Sequence, residues 1–108
     1  MTALHSSLAE GRWQQFSLAE QLGNVGSEVN RARRSAGDEN RFWSAVTRAF
    51  ELLDLTISDS RWRSRLRELL RVRETLADAV LGGHEYQTKL EDMDKYFLYF
   101  ALSARSGR

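Results

Sequence analysis

The chain has 108 residues, a length typical of about one domain. Its contents of hydrophobic (42%) and charged (29%) residues are ordinary for a globular protein. It has no proline that would interrupt a helix, and no cysteine, which excludes a disulfide scaffold and thiol catalysis. The 16 basic and 15 acidic side chains give a net charge of +1, which does not indicate a dedicated nucleic-acid binder.

The start of the chain lacks the basic region and apolar core of a secretory signal. The longest apolar run, residues 96–102, is far shorter than the roughly 20 residues that span a bilayer. We therefore expect no membrane contact and a cytoplasmic location.

The first helix is predicted to begin at Ser17, where residues 17–20 (SLAE) have the pattern of a capping box. Gly23 and Gly26 lie inside this helix, each at a cost of about 1 kcal/mol relative to alanine. We expect them to leave a smooth flank where another backbone comes close; the alternative is that they merely weaken the helix. Apolar residues recur along it with the alternating spacing of a heptad seam: Leu18, Leu22, Val25, Val29, Ala32 and Ala36.

The second helix is predicted to follow Gly37, a C-cap, with Asp38 as its N-cap. Its apolar residues cover nearly half of the helix circumference, which is more than packing against a single partner helix requires. The main stripe and its two flanks are Phe42, Val46, Ala49, Leu53 and Ile57, with Trp43, Phe50, Ala45 and Leu52.

The third helix is predicted to be capped by Ser58 or Asp59 and to end at the pair Gly82 and Gly83. Thr88 then opens the fourth helix with a second capping box, residues 88–91 (TKLE). The predicted core residues of the two helices are Trp62, Leu66, Leu69, Leu70, Leu76, Ala77 and Val80 in the third, and Leu90, Met93, Phe97, Phe100, Ala101 and Ala104 in the fourth.

These segments predict an all-α protein, an antiparallel up-down-up-down four-helix bundle over residues 17–108. Residues 1–16 are predicted to form a short N-terminal arm, in which Trp13 and Phe16 pack over the end of the bundle. Helices of roughly 18 residues would be about 27 Å long, and short loops make neighbouring helices antiparallel.

The fourth helix carries apolar residues outside its core stripe: Tyr96, Leu98, Tyr99 and Leu102. A helix that is apolar nearly all round should be buried nearly all round. A single bundle would leave these side chains exposed, and exposed apolar patches mark interfaces. We therefore predict that they form an interface in a homo-oligomer. The alternative is that the N-terminal arm covers them.

Histidine is scarce, which bears on catalysis and metal binding. The chain contains only His5 and His84, and neither follows a glutamate at the spacing used in di-iron bundles. With no cysteine as well, triad-type nucleophilic catalysis lacks a base. We expect no catalytic residue, no metal, no cofactor and no enzymatic activity.

Three arginines of the third helix, Arg63, Arg67 and Arg71, are spaced four apart and would form one ridge able to follow phosphate groups. The alternative is a solvated face on which Glu68, Glu74 and Asp78 pair with them. Acidic residues are interleaved, which favours the solvated face. Assembly into a ring would repeat the ridge around its axis.

Arg73 falls on the predicted core face of the third helix. A buried guanidinium needs a carboxylate partner. The candidates are Glu28 on the first helix and Glu51 or Asp54 on the second. We therefore predict a buried ion pair.

Four stretches together resemble a group of small four-helix-bundle proteins of bacteria and archaea: residues 17–32, 48–59 (RAFELLDLTISD), 65–74 (RLRELLRVRE) and 95–105 (KYFLYFALSAR). This group includes conserved hypothetical cytosolic proteins. It is similar in architecture to ribosomal-RNA intervening-sequence proteins and to the Avd accessory proteins of diversity-generating retroelements. The resemblance covers most of residues 13–105.

The resemblance implies a bundle that assembles as a ring, typically of five subunits. Avd-type rings are strongly basic and bind nucleic acid and a reverse transcriptase, whereas this chain has a net charge of +1. The expected function is a non-enzymatic, pentameric scaffold or adaptor for an unidentified protein or nucleoprotein. The alternative is an Avd-like accessory ring that binds nucleic acid and is associated with a reverse transcriptase.

Overall fold

The structure, a computed structural model, describes residues 11–106. Within this range the chain forms helices and turns and no strand. The predicted all-α four-helix bundle is confirmed. Its α-helices are α1 (Leu18–Arg34), α2 (Glu39–Ile57), α3 (Leu66–Val80) and α4 (Leu90–Ser106), with 3-10 helices at Trp13–Gln15 and Ser60–Arg65.

Local capping sets the ends of α1 and the start of α2. The Ser17 hydroxyl accepts from the Glu20 N–H at 3.1 Å, and the Glu20 carboxylate accepts from the Ser17 N–H at 2.8 Å, as the capping box predicts. Gly37 adopts φ +94° in the turn after α1, and the Asp38 carboxylate accepts from the N–H of Arg41. Because α1 ends at Arg34, Ala36 is exposed in the turn and does not extend the apolar seam.

The closest helix pair is α1 and α4, and two glycines of α1 explain why. A Cβ atom at Gly26 would lie 2.5 Å from Cβ of Phe97, and one at Gly23 would lie 3.0 Å from Cα of Ala101. The predicted smooth flank is confirmed, and α4 is the backbone that approaches it. Both α1 and α3 pack against α2 and against α4, so α2 and α4 occupy opposite corners of the bundle.

The hydrophobic core draws on all four helices and on one residue that precedes them. Trp13, in the first 3-10 helix, is only 1% exposed and is among the largest fully buried side chains. The other buried members of its cluster are Leu18, Leu22, Val25, Val29, Ala49, Leu52, Leu53, Leu69, Val72, Leu76, Met93 and Phe97. The bundle is therefore closed at this end by residues N-terminal to α1.

The start of α3 differs from the prediction. The Asp59 carboxylate caps the 3-10 helix Ser60–Arg65, within which Trp62 has non-helical dihedral angles (φ −103°, ψ 22°). A count of 3.6 residues per turn that starts from Trp62 therefore misplaces part of the buried face of α3, although Leu69 and Leu76 are buried as predicted. The prediction that Leu70 lies in the core is wrong, since it is 44% exposed, and Val72 is buried in its place.

The start of α4 also differs from the prediction, because the carboxylate of Asp78 accepts hydrogen bonds from backbone N–H groups of the preceding loop. The predicted capping box at Thr88 does not form: the Thr88 N–H donates to Asp78 Oδ2 at 3.3 Å instead. The helix begins at Leu90, and the Asp92 carboxylate accepts from the N–H of Lys89 at 3.2 Å. Thus a carboxylate in the first turn of α4 still accepts from a backbone N–H group that has no partner within the helix. Both the carboxylate and the N–H group lie one position later than predicted.

Over residues 11–106, none of the helices combines the length and the apolar character that crossing a membrane requires.

Candidate functional site

The outer side of α4 exposes a contiguous group of large apolar side chains. Leu98, Tyr99 and Leu102 are 50%, 67% and 51% exposed, and we name them the α4 face. Leu102 lies four residues after Leu98 and three after Tyr99, so the three side chains are neighbours on the helix surface. Lys95 and Arg105, both exposed, flank the face one turn to either side.

Tyr96, the fourth residue of the predicted interface, lies outside the exposed α4 face. The prediction that it lies off the core is wrong, whereas its part in an interface stays a prediction. It is half-buried against the core, and its ring packs edge-on against Phe97 and Phe100, with centroids 5.2 and 5.3 Å apart. Burial, and then the nearby charge of Glu68, raise the pKa of its hydroxyl. Because Glu68 belongs to α3, Tyr96 lies on the side of α4 that faces α3.

A groove of about 450 Å³ with both polar and apolar walls runs between α1 and α4, beside the α4 face. The carboxylate of Asp94 accepts hydrogen bonds from Asn30 at 3.0 Å and from Arg33 at 2.6 Å, and these bonds link the two helices. Leu98 and Arg105 lie on the wall of this groove. The α4 face therefore has a polar border on its α1 side.

A second, open groove of about 400 Å³ lies between α2 and α3 and is mainly apolar. We name it the α2–α3 groove. Trp43 on its α2 side is 46% exposed and Leu81 on its α3 side is 70% exposed, which is unusual for side chains of this size. Its lining residues are Trp43, Val46, Thr47, Phe50, Glu51 and Asp54 from α2 with Ala77, Val80 and Leu81 from α3 and its C-terminal turn.

The three arginines that were predicted to form a ridge are all exposed, but they do not lie on one continuous α-helix. Arg63 belongs to the 3-10 helix, whereas Arg67 and Arg71 lie on α3. Within the described part of the chain, Arg63 and Arg67 form no ion pair, and the Arg71 guanidinium lies over the ring of Tyr86, 5.2 Å from its centroid. The ridge thus shortens to Arg67 and Arg71.

The acidic residues expected to neutralise that ridge are engaged elsewhere. Glu68 accepts from Arg65 at 2.7 Å, and Glu74 accepts from the hydroxyl of Tyr86 at 3.1 Å. The carboxylate of Asp78 faces its own loop. The described contacts therefore include no ion pair of these carboxylates with Arg67 or Arg71, although Glu74 and Arg71 both contact Tyr86.

Asp78 organises the loop between α3 and α4. Its carboxylate accepts from the N–H groups of Glu85, Tyr86 and Thr88, at 2.7, 3.1 and 3.3 Å. Burial would raise the pKa of Asp78, but these three hydrogen bonds outweigh it and lower the pKa. The loop thereby folds over the last turn of α3.

Arg73 pairs with Asp54, one of its three predicted partners, at 2.7 and 3.3 Å. The prediction that the pair is buried is wrong, because the two side chains are 42% and 52% exposed. With Val72 in the core, Arg73 lies at the edge of α3, where its guanidinium covers the ring of Phe50 and its pKa is raised by the hydrogen bond to Asp54. Of the other two candidates, Glu28 pairs with Arg31 and Glu51 lines the α2–α3 groove.

A buried polar cluster that the sequence interpretation missed joins the start of α1 to the turn after α2. Gln21, with no exposed surface, donates to the carbonyl of Trp13 at 2.8 Å and to Asp59 at 3.1 Å, and accepts from the Trp62 indole at 3.0 Å. Hydrogen bonds from Arg61 hold the pKa of Asp59 at about 2. The sequence does indicate that Gln21 is buried, since it lies three residues after Leu18 and therefore on the core side of α1.

The described residues contain no group of three or more acidic, histidine or cysteine side chains that could hold a metal ion. The fold and its surfaces define an all-α four-helix bundle that exposes one apolar helix face and one apolar groove. Comparison with protein-family models, with curated proteins and with solved structures finds no match to the chain.

Proposed function

We propose that this protein is a non-enzymatic scaffold or adaptor that self-associates through the α4 face and presents the resulting homo-oligomer to a protein or nucleoprotein partner. The observation that carries the proposal is the exposure of Leu98, Tyr99 and Leu102 side by side on one helix. The sequence resemblance to small four-helix-bundle proteins adds the expectation of a five-membered ring in the cytoplasm.

The physical argument rests on the free energy of apolar burial. Each square ångström of apolar surface removed from water contributes about 25 cal/mol. Burial of three half-exposed large side chains would therefore make a substantial favourable contribution to the free energy of association. A tyrosine is well suited to such a surface because its ring is buried while its hydroxyl finds a polar partner. Ser103 and Ser106, also exposed on α4, show that solvated positions of this helix can carry small polar residues.

Light scattering at micromolar concentration tests the proposal. We expect a wild-type mass that is a multiple of 12.4 kDa, and a lower mass for Leu102→Asp, because a carboxylate cannot be buried unpaired in an apolar contact. Asn40→Asp, the same added charge at an exposed position in the first turn of α2, should retain the wild-type mass. Circular dichroism would verify that all three proteins are equally helical. A strictly monomeric wild type contradicts the proposal.

A second candidate function is that of an Avd-like accessory ring that binds nucleic acid beside a reverse transcriptase. It is favoured by one observation: Glu68 and Glu74, expected to neutralise the arginines of α3, bond to Arg65 and Tyr86 instead. Arg67 and Arg71 remain exposed for phosphate groups.

Fluorescence anisotropy with a labelled single-stranded RNA and a DNA duplex, over a range of salt concentrations, tests this second candidate. Binding should weaken steeply with salt. The double variant Arg67→Gln, Arg71→Gln should bind more weakly and lower the salt slope by about 2, one for each lost phosphate contact. The charge-matched control Arg34→Gln, Arg41→Gln changes two exposed arginines on other elements and should not. Absence of binding at low salt removes this candidate.

A further inference from the structure

The exposed side of α4 has the residue spacing of a coiled-coil helix. Glu91, Lys95, Leu98, Leu102 and Arg105 follow one another at gaps of four, three, four and three residues, and all five are exposed. We name these five residues the α4 stripe. Such spacing keeps one stripe of a helix against a single partner helix over several turns. Because the stripe is exposed in the described structure, a helix of another molecule can pack along it.

The charges of α4 differ between its two ends. Glu91 and Asp92 lie in its first turn, and Arg105 lies in its last turn. The Asp92 carboxylate accepts from the N–H of Lys89. Within the described part of the chain, the side chains of Glu91 and Arg105 form no ion pair and no hydrogen bond. The α4 stripe therefore has a carboxylate at one end and a guanidinium at the other, and both are open to an outside partner.

An antiparallel second copy of α4 brings these two ends together. The helix spans residues 90–106, so two copies that overlap over their full length have residue 98 at the two-fold axis. Leu98 then meets Leu98 of the second copy, and Glu91 lies level with Arg105 of the second copy. Because a two-fold contact repeats every pair, two ion pairs flank the apolar side chains. Charges placed in this way fix the orientation and the register of two packed helices.

The same charges disfavour two other arrangements. A parallel pair places Glu91 beside Glu91 and Arg105 beside Arg105. An antiparallel pair centred on residue 100, midway between Leu98 and Leu102, places Lys95 level with Arg105 of the second copy. Juxtaposed like charges cost free energy at an interface. Of the three arrangements, the antiparallel one centred on Leu98 pairs opposite charges at both ends of the helix.

Lys95 is compatible with the arrangement centred on Leu98. It lies level with residue 101 of the second copy, between Leu98 and Leu102, where its aliphatic stem can cover both leucines while its ammonium group stays in water. The two Lys95 residues lie on opposite sides of the axis, six residues or about 9 Å apart along the helices. Glu91 of the same chain precedes each of them by one turn.

We infer that two copies of this protein associate through an antiparallel, two-fold contact between their α4 helices, in which the α4 face is buried and Glu91 pairs with Arg105 of the other copy. The inference rests on the proposed self-association and names its partner surface, the α4 stripe of a second copy. A two-fold contact uses the same surface on both copies and is complete at two copies. The expected mass is therefore twice 12.4 kDa, whereas the sequence resemblance implies a five-membered ring.

Cysteine cross-linking locates the two-fold axis, since the chain has no cysteine of its own. In full-length Leu98→Cys the two new thiols face each other across the axis, and mild oxidation should link most of the protein into a covalent dimer. A disulfide requires Cα atoms within about 7 Å of each other. Leu102→Cys is the matched control, because the same change one turn later separates the two thiols by about 12 Å along the helices. It should remain largely unlinked.

Charge reversal measured by analytical ultracentrifugation tests the ion pairs. Arg105→Glu and Glu91→Arg should each raise the dissociation constant of the dimer at least roughly tenfold, because each brings like charges together. The double variant Glu91→Arg, Arg105→Glu restores opposite charges and should return the constant to within roughly threefold of wild type. The matched control Arg34→Glu, Glu39→Arg reverses exposed charges in the last turn of α1 and the first turn of α2, and should dimerise as the wild type does.

The outcomes separate this inference from the proposed function. A monomeric wild type overturns the proposed self-association and the two-fold contact together. A wild type that forms a five-membered ring, or that associates while Leu98→Cys stays unlinked, leaves the self-association standing and overturns the two-fold contact. A double variant as weak as the single variants also overturns it. Cross-linking at residue 98 with recovery in the double variant supports it, and a head-to-tail contact would give neither result.

Discussion

The side-chain amide of Gln21 donates a hydrogen bond to Asp59 Oδ2 at 3.1 Å, across 38 positions of the sequence and without contact with solvent. The same amide bonds to the Trp13 carbonyl, and its oxygen accepts from the Trp62 indole. A single glutamine thus connects the segment before α1, the turn after α2 and the 3-10 helix before α3. Removal of this side chain affects three elements at once.

Replacement of Gln21 by leucine should therefore destabilise the fold although it adds apolar surface. The Trp62 indole N–H would lose its partner, and the Trp13 carbonyl would keep only its bond from the N–H of Phe16. A buried unsatisfied polar group costs about 1–3 kcal/mol. Urea unfolding at neutral pH measures the effect. Gln15→Leu, the same change at an exposed position, is the control. Equal stability of the two variants would mean that the cluster contributes nothing.

The depressed pKa of Asp59 predicts a pH dependence of stability. Hydrogen bonds from the Arg61 side chain are the main cause, and they lower the pKa from 3.8 to about 2 despite the opposing effect of burial. The unfolded chain therefore takes up this proton first, and the contribution of Asp59 is complete above pH 3.8 and lost as the pH falls toward about 2. Thermal unfolding of wild type and Asp59→Asn over this interval should show a smaller decline for the variant. Parallel curves would contradict the assignment.

The close approach of α1 and α4 predicts an unusual response to alanine. Alanine favours a helix over glycine by about 1 kcal/mol, so Gly26→Ala would stabilise an exposed helix. Here its methyl group would lie 2.5 Å from Cβ of Phe97, and α4 must shift. We expect a net loss of about 1–3 kcal/mol in the free energy of unfolding. Asn24→Ala, at an exposed position of the same helix, should change it by less than about 0.5 kcal/mol.

The exposure of the ion pair between Arg73 and Asp54 predicts a small effect of breaking it. Surface pairs contribute about 0–1 kcal/mol, and salt screens them further. Asp54→Asn should therefore lower the free energy of unfolding by less than about 1 kcal/mol at low salt, with the difference shrinking in high salt. A loss of about 3 kcal/mol or more would instead indicate the buried pair that the sequence suggested.

The sequence predicts α1 and α2 well because the information that defines their ends is local. Ser17 with Glu20, and Asp38 with Arg41, act within one turn. The other two helices start differently: Asp59 caps a 3-10 helix that precedes α3, and Asp78 binds a loop up to ten residues away. The periodicity of apolar residues does not indicate these hydrogen bonds.

The same limit applies to the surfaces. The α4 face was predictable for Leu98, Tyr99 and Leu102, since helix geometry alone places them opposite the core. Tyr96 and Arg73 were misplaced because their burial depends on how α3 is rotated, which the interruption at Trp62 changes. The α2–α3 groove depends on the spacing between two helices and could not be predicted from either helix alone.

The burial of Trp13 has a consequence for where the folding unit begins. Loss of a buried tryptophan side chain typically costs about 3–5 kcal/mol, a large part of the stability of a small domain. A truncated chain that starts at Ser17 would keep all four α-helices and still have a cavity of indole size at the end of its core. The turn before α1 is therefore part of the cooperative unit, and a division of the chain at residue 17 would cut through its interior.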